Sequence, residues 1–166
     1  MPDLAGPNLD QFYRDLNQQF FAGALPPVQV RWSTRMTRAA GIYYGQRGCI
    51  ALSRPLLLNK PEALISTLLH EMIHVWCHRV QDRPQEGHGA MFRAKMREIN
   101  AAQAQIQVTL RHQFNTQALA RYQAYCDHCG RSRLYHRRCK GLACGACSRQ
   151  AGKRWSQQFL LTWIPL

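Results

Sequence analysis

Apolar positions recur along this chain in two rhythms. Leu9, Phe12, Tyr13, Leu16 and Phe20 fall at the three-and-four spacing of one helical face, and Asn8 stands where a side-chain oxygen caps a first turn. Pro26-Pro27 stops any continuation, after which Val28, Val30 and Trp32 alternate with polar residues as a half-buried strand does. Residues 41–44 and 49–52 read as two short strands joined through Gly45-Gln46-Arg47-Gly48, an antiparallel hairpin. The strongest rhythm follows. Asn59 and Glu62 have the spacing of a capping box around Pro61. Beyond them Leu64, Leu68, Met72 and Trp76 form one apolar row beside Ile65, Leu69 and Ile73. A helix apolar on two adjacent rows belongs in the middle of a domain. Phe92, Met96 and Ile99 mark one more amphipathic helix. The pattern predicts an α+β fold, with a small antiparallel sheet, flanking helices and the Leu64-to-Trp76 helix at its centre.

Charge then divides the chain. Lysine and arginine total 22 against 9 acidic residues, a net +13 with a pI near 10.1. Residues 1–111 carry 13 basic and 8 acidic side chains, whereas residues 112–166 carry 9 basic and 1 acidic. This shift, with the paired cysteines beyond it, predicts two modules, 1–111 and 112–166. Such a surplus suits a polyanionic partner or an anionic surface. The first residues lack the basic patch and long apolar stretch of a secretory signal, and the apolar runs at 159–161 and 163–166 are too short to cross a bilayer. The expectation is a soluble, cytoplasmic protein with no membrane partner, associated with the nucleoid if bacterial. Seven cysteines, four of them in two C-x-x-C pairs, fit metal binding better than a disulfide framework.

The chemistry concentrates on the central helix, in His70-Glu71-Met72-Ile73-His74. Histidines four apart project from one helical face toward a common point, and two neutral imidazoles suit zinc. Glu71 lies beside them, where its carboxylate reaches a water held at the metal and can act as general base. Hydrolysis of a peptide bond is the natural reaction. A catalytic zinc needs a third protein ligand and an open fourth position. His78 continues the same stripe but sits ~12 Å along the axis from His70, too far to share an ion ligated at about 2 Å. An eleven-residue metzincin pattern would need glycine at Cys77 and histidine at Val80. His88, in Glu86-Gly87-His88-Gly89, is the better third ligand, because a glycine-flanked loop can return it to the ion. Glu86 and Asp82 are the alternatives.

His-Glu-Met-Ile-His followed by a short loop to Glu-Gly-His-Gly and Phe92 resembles the SprT-like metalloprotease family. Upstream segments add to the likeness: Phe20-Phe21-Ala22-Gly23-Ala24-Leu25-Pro26-Pro27, Val30-Arg31-Trp32-Ser33, Ala40-Gly41 and Ile50-Ala51-Leu52-Ser53. The resemblance spans roughly residues 8–150 and implies a zincin-like catalytic domain. It implies His70, His74 and His88 as ligands of a catalytic zinc, with Glu71 as the base. It also implies a substrate class, proteins held on DNA, and a C-terminal subdomain like a zinc ribbon.

Cys126-Asp127-His128-Cys129 and Cys144-Gly145-Ala146-Cys147 are two knuckles, each donating two thiolates to a second, structural zinc. Cys139, His128 or His136 could replace one member; the symmetric pairs are preferred, leaving Cys139 a free thiol. Cys49 and Cys77 lie in apolar sequence and read as core, Cys77 being about 300° round the helix from His74. Arg131, Arg133, Arg137, Arg138 and Lys140 run between the knuckles with Tyr135 interleaved, and Lys153, Arg154 and Trp155 follow. Cations neutralise phosphates and aromatics stack on unpaired bases, so these nine side chains are the candidate DNA contacts, with single-stranded or distorted DNA the preferred form. Arg131 and Arg133 on one ribbon strand would share a face. The leading reading is a zinc peptidase of DNA-held proteins, whose strand nearest the metal pairs with substrate backbone. The rivals are a zinc-stabilised nucleic-acid-binding protein without turnover and a DNA-independent peptidase.

Overall fold

The computed structural model describes residues 7–111 and 114–166. The chain divides into two compact units, residues 1–114 and 115–166.

The first unit opens with α1, Leu9–Phe21. The Asn8 side chain accepts the Gln11 N–H at 3.1 Å, and Leu9, Tyr13 and Leu16 are buried. Phe21 rather than Phe20 closes that face. Three strands follow, β1 (Gln29–Ser33), β2 (Gly41–Tyr44) and β3 (Cys49–Ser53), in the order β1-β3-β2. The hairpin of β2 and β3 is antiparallel, but β1 runs parallel to β3, so the sheet is mixed and the expectation of an antiparallel sheet is corrected. The reason lies in β3. All five of its residues are buried, so it takes the protected centre, and β1 is separated from its successor in sequence. That arrangement leaves β2 on an edge.

After the short α2 (Arg54–Leu57), α3 (Pro61–Val75) passes through the interior, with every residue from Leu68 to Ile73 buried. Each fully buried leucine, isoleucine or methionine here contributes about 1.5–3 kcal/mol of transfer free energy. Its start differs from expectation. Lys60 is the capping residue, no side chain caps the first turn, and the Asn59–Glu62 box does not form. Beyond Val75 the helix widens into a π turn, Trp76–Val80, before the loop to α4 (Ala90–Ala102). Phe92 and Ile99 of α4 are fully buried.

The second unit is an antiparallel sheet in the order β5-β4-β6, built from β4 (Tyr122–Tyr125), β5 (Ser132–Tyr135) and β6 (Thr162–Pro165), with α5 (Gly145–Gln150). Its core is Cys126, Cys144, Cys147 and Phe159, with Ala146 and Leu161 packed against them. A core this small rarely holds a unit of this size without a staple. Among the described residues, no helix is long and apolar enough to cross a membrane.

Candidate metal centres and active cleft

His70 and His74 leave α3 on one face, one helical turn apart, and the loop before α4 returns His88 to them. His88 Nε2 lies 2.9 Å from His70 Nε2 and 3.2 Å from His74 Nε2. Phe92 packs beneath all three rings, at centroid distances of 4.9, 4.6 and 4.7 Å. His70 is buried, His74 half-buried and His88 exposed, so the cluster opens toward His88. A carbonyl only accepts, so the 2.8 Å contact between His70 Nδ1 and the Thr109 oxygen puts a proton on Nδ1, and in the neutral ring the lone pair is on Nε2. Burial, then the neighbouring His88, lowers the pKa of His74 to about 4. Burial, then Arg93 and Arg111, lowers that of His88 as well. Three imidazoles thus converge, with the neutral form favoured in His74 and His88. A tetrahedral zinc with nitrogens at 2.0–2.1 Å would hold them about 3.3 Å apart, so the donor set fits zinc.

Glu71 is buried beside this cluster, and its Oε2 accepts the Tyr43 N–H of edge strand β2 at 2.8 Å. Burial pushes its carboxyl up to about 7, against the lowering effect of that hydrogen bond. Gly41 makes the close approach of strand to helix possible. A Cβ there would stand 2.8 Å from Glu71 Cγ, 2.8 Å from Thr67 Cγ2 and 2.9 Å from Glu71 Oε1. The alternative ligands lie elsewhere. Glu86 Oε1 accepts the Met91 N–H at 2.7 Å, which caps α4, and neither Glu86 nor Asp82 belongs to the donor cluster. His78 is outside it too, with Nδ1 3.1 Å from the Tyr43 hydroxyl. Cys49 and Cys77 are buried.

In the second unit the sulfurs of Cys126, Cys129, Cys144 and Cys147 gather within 4.8 Å of one another. Cys126 Sγ is 3.8 Å from Cys147 Sγ, and Cys129 Sγ is 3.7 Å from Cys144 Sγ. Zinc–sulfur bonds of 2.3 Å imply a tetrahedral edge of about 3.8 Å, and again the set fits. Backbone N–H groups of Cys147 and Ala146 help bring the Cys144 thiol down to about 6, while burial and the adjacent thiols raise Cys147 to about 12. Cys139 lies outside the cluster, its Sγ 3.9 Å from the Arg137 carbonyl. His128 Nδ1 approaches Cys147 Sγ at 3.7 Å.

Of the candidate DNA contacts, Arg131, Arg133, Arg137, Arg138, Lys140, Lys153, Arg154 and Trp155 are exposed and Tyr135 is half-buried. Arg131 precedes β5, its carbonyl accepting the Cys126 N–H at 2.9 Å, so it closes the knuckle instead of sharing a strand with Arg133. Strand register adds side chains that sequence reasoning missed. Arg133 and Trp163 both pair with Ala124, and Tyr135 pairs with Tyr122, so all five lie on one side of the sheet. The Trp163 ring contacts Tyr135 at 5.0 Å and Tyr122 at 6.3 Å. Only the pairing of β4 with β6, distant in sequence, reveals this grouping.

The first unit is therefore a mixed α/β domain with three convergent imidazoles and a buried carboxylate alongside. Residues 9–112 match the SprT-like family, and the chain belongs to it. It is 43% identical over 115 residues to a Homo sapiens protein named DNA-dependent metalloprotease SPRTN, covering 66% of this chain and 23% of that protein. The Danio rerio protein of the same name is 41% identical over 115 residues, covering 66% of this chain and 18% of the relative. The Caenorhabditis elegans DNA-dependent metalloprotease dvc-1 is 34% identical over 163 residues, covering 91% of this chain and 44% of the relative. The chain thus spans less than half the length of these relatives.

Proposed function

We propose that this chain is a zinc metalloprotease that hydrolyses peptide bonds in proteins bound or crosslinked to DNA. The observation that carries the reading is Glu71, a buried carboxylate held beside three convergent imidazoles by the Tyr43 N–H. A purely structural metal site has no use for a base there. The names of the relatives, DNA-dependent metalloproteases, support the same activity and the same polyanion.

In this reading the first unit is a zincin-like domain, with His70, His74 and His88 holding the catalytic zinc. Bound zinc would acidify a water and polarise the substrate carbonyl. Glu71 takes the proton of the attacking water as its oxygen bonds to the carbonyl carbon. It then delivers that proton to the nitrogen of the breaking C–N bond, so acid and amine leave with no net proton change. Burial raises its pKa above the usual carboxylate value and so makes it a better proton acceptor, against the opposing charge that a bound zinc would supply. Edge strand β2 pairs with extended substrate backbone, which gives loose side-chain preference.

The second unit is a zinc ribbon, its metal held by Cys126, Cys129, Cys144 and Cys147. Its basic surface binds DNA phosphates and its aromatic side chains stack on unpaired bases, which concentrates DNA-held protein near the cleft. The decisive test compares wild type with Glu71→Gln on a protein covalently linked to single-stranded DNA, with unlinked protein and DNA-free mixtures as controls. Cleavage by wild type alone, and only with DNA, is expected. Cleavage without DNA keeps the peptidase and removes the tether. No cleavage by protein loaded with both zincs leaves a nucleic-acid-binding protein.

A further inference from the structure

One turn beyond His74, the cleft contains a hydrogen-bonded chain that the metal chemistry does not use. Arg79 Nε donates to the Tyr43 hydroxyl at 3.3 Å, and a second Arg79 nitrogen donates to the Gly45 carbonyl at 2.7 Å. The Tyr43 hydroxyl in turn lies 3.1 Å from His78 Nδ1. Guanidinium cannot accept, so the phenol oxygen receives from Arg79, and the phenol's own proton is left to give to Nδ1. With Nδ1 accepting that proton, the neutral His78 ring carries its own on Nε2. Gly45 fixes the ring from the other side: a Cβ there would stand 2.7 Å from Nδ1 and 2.8 Å from Cε1.

Helix geometry turns this ring into the cleft. Four residues of α-helix overshoot one full turn, so His78 would drift away from the His70–His74 stripe. Residues Trp76–Val80 form a π turn, and its wider winding takes that overshoot back. His78 consequently lines the same cleft as Gly41, Glu71 and the histidines.

We propose that His78 is a substrate-binding residue whose Nε2–H donates to a backbone carbonyl of the bound polypeptide, with Tyr43, Arg79 and Gly45 as its positioning residues. The inference rests on the peptidase reading. His78 lies ~6 Å along the helix axis beyond His74, and extended chain advances about 3.3 Å per residue. The carbonyl it meets is therefore about two residues from the scissile bond, and His78 contributes to binding, not to the proton transfers of Glu71.

The test uses zinc-loaded full chain and peptide hydroxamates, which anchor at zinc, of one and of three residues, made in both chain directions. Calorimetry is run on wild type, His78→Ala and Tyr43→Phe; the latter keeps the backbone N–H that holds Glu71. The one-residue compounds should bind all three proteins equally, which also reports an intact fold. In one direction the three-residue compound should bind His78→Ala roughly five- to ten-fold more weakly, the weight of a single hydrogen bond, with Tyr43→Phe in between. Three-residue compounds that bind wild type and His78→Ala alike, in both directions, overturn the inference and leave the peptidase standing. One-residue hydroxamates that bind no zinc-loaded protein refute the metal centre and the inference with it.

Discussion

The two donor clusters obey opposite designs. In the first unit, three imidazole nitrogens converge on a helix that packing alone already buries, and the third of them, from His88, is exposed on a loop. In the second, Cys126, Cys144 and Cys147 are themselves the core, so sulfur stands where leucine would in a larger domain. An ion lost from the first cluster would leave the surrounding leucines still holding α3. An ion lost from the second would leave little to offset chain entropy. An open site that borrows its rigidity can exchange ligands; a site that supplies rigidity must stay closed.

That contrast can be broken in five ways, from the largest effect downward. Cys126→Ser should unfold the second unit alone, because ribbon-type zinc sites supply about 10–16 kcal/mol of apparent folding energy. Hydrogen exchange should show lost protection at 122–165 and unchanged protection at 29–53. Glu71→Gln should leave both zincs bound, by metal analysis, and lower kcat by about 10²–10⁴. Gly41→Ala forces Glu71 and β2 apart, and a misplacement near 1 Å costs about a hundredfold in kcat with zinc content unchanged. Retained activity there would show that the base is not clamped by the strand. Only the ionised form of Glu71 is a base, and burial raises its pKa, so kcat/KM should climb with pH. The rise should be about tenfold per unit below a midpoint between 4.5 and about 7, because zinc's charge opposes the effect of burial. Arg133→Ala should weaken single-stranded DNA binding a few-fold and reduce the salt slope of log Kd by about one, while hydrolysis of an unlinked peptide stays the same.

Much of this was legible in the sequence because it is encoded locally. Histidines at 70 and 74 need only a helix to converge, and the paired cysteines need only two turns. His88 was legible with more effort, through the glycines around it. The alternation of Val30 and Trp32 and the hairpin at 41–52 are likewise short-range facts. What escaped depends on the third dimension. The parallel pairing of β1 with β3 follows from competition among strands for the protected centre, which no single segment records. Lys95 holds a position that helical periodicity reserves for an apolar residue. Its ammonium lies 5.1 Å from the Phe21 ring centre and 5.6 Å from that of Trp76, and bonds Glu98 at 2.7 Å. The Asn59–Glu62 spacing fitted a capping box, yet the helix begins without one. Tyr43 gave no sign that its N–H would hold the base, since that contact spans 28 residues.

The carbonyl of Thr109 reaches back to His70 at 2.8 Å, and its neighbours do similar work nearby. The Gln107 carbonyl accepts the Ser66 hydroxyl at 2.7 Å, and Asn100 brackets Val108 with bonds of 2.9 and 2.8 Å. A stretch without helix or strand is thus laced to α3 by the side chains of Ser66 and His70 and to α4 by that of Asn100. Trimming the chain after α4 would leave every helix and strand of the first unit in place and still strip His70 of the bond that sets its proton. The smallest piece that keeps this histidine ready for metal must run through Thr109, past the last regular element.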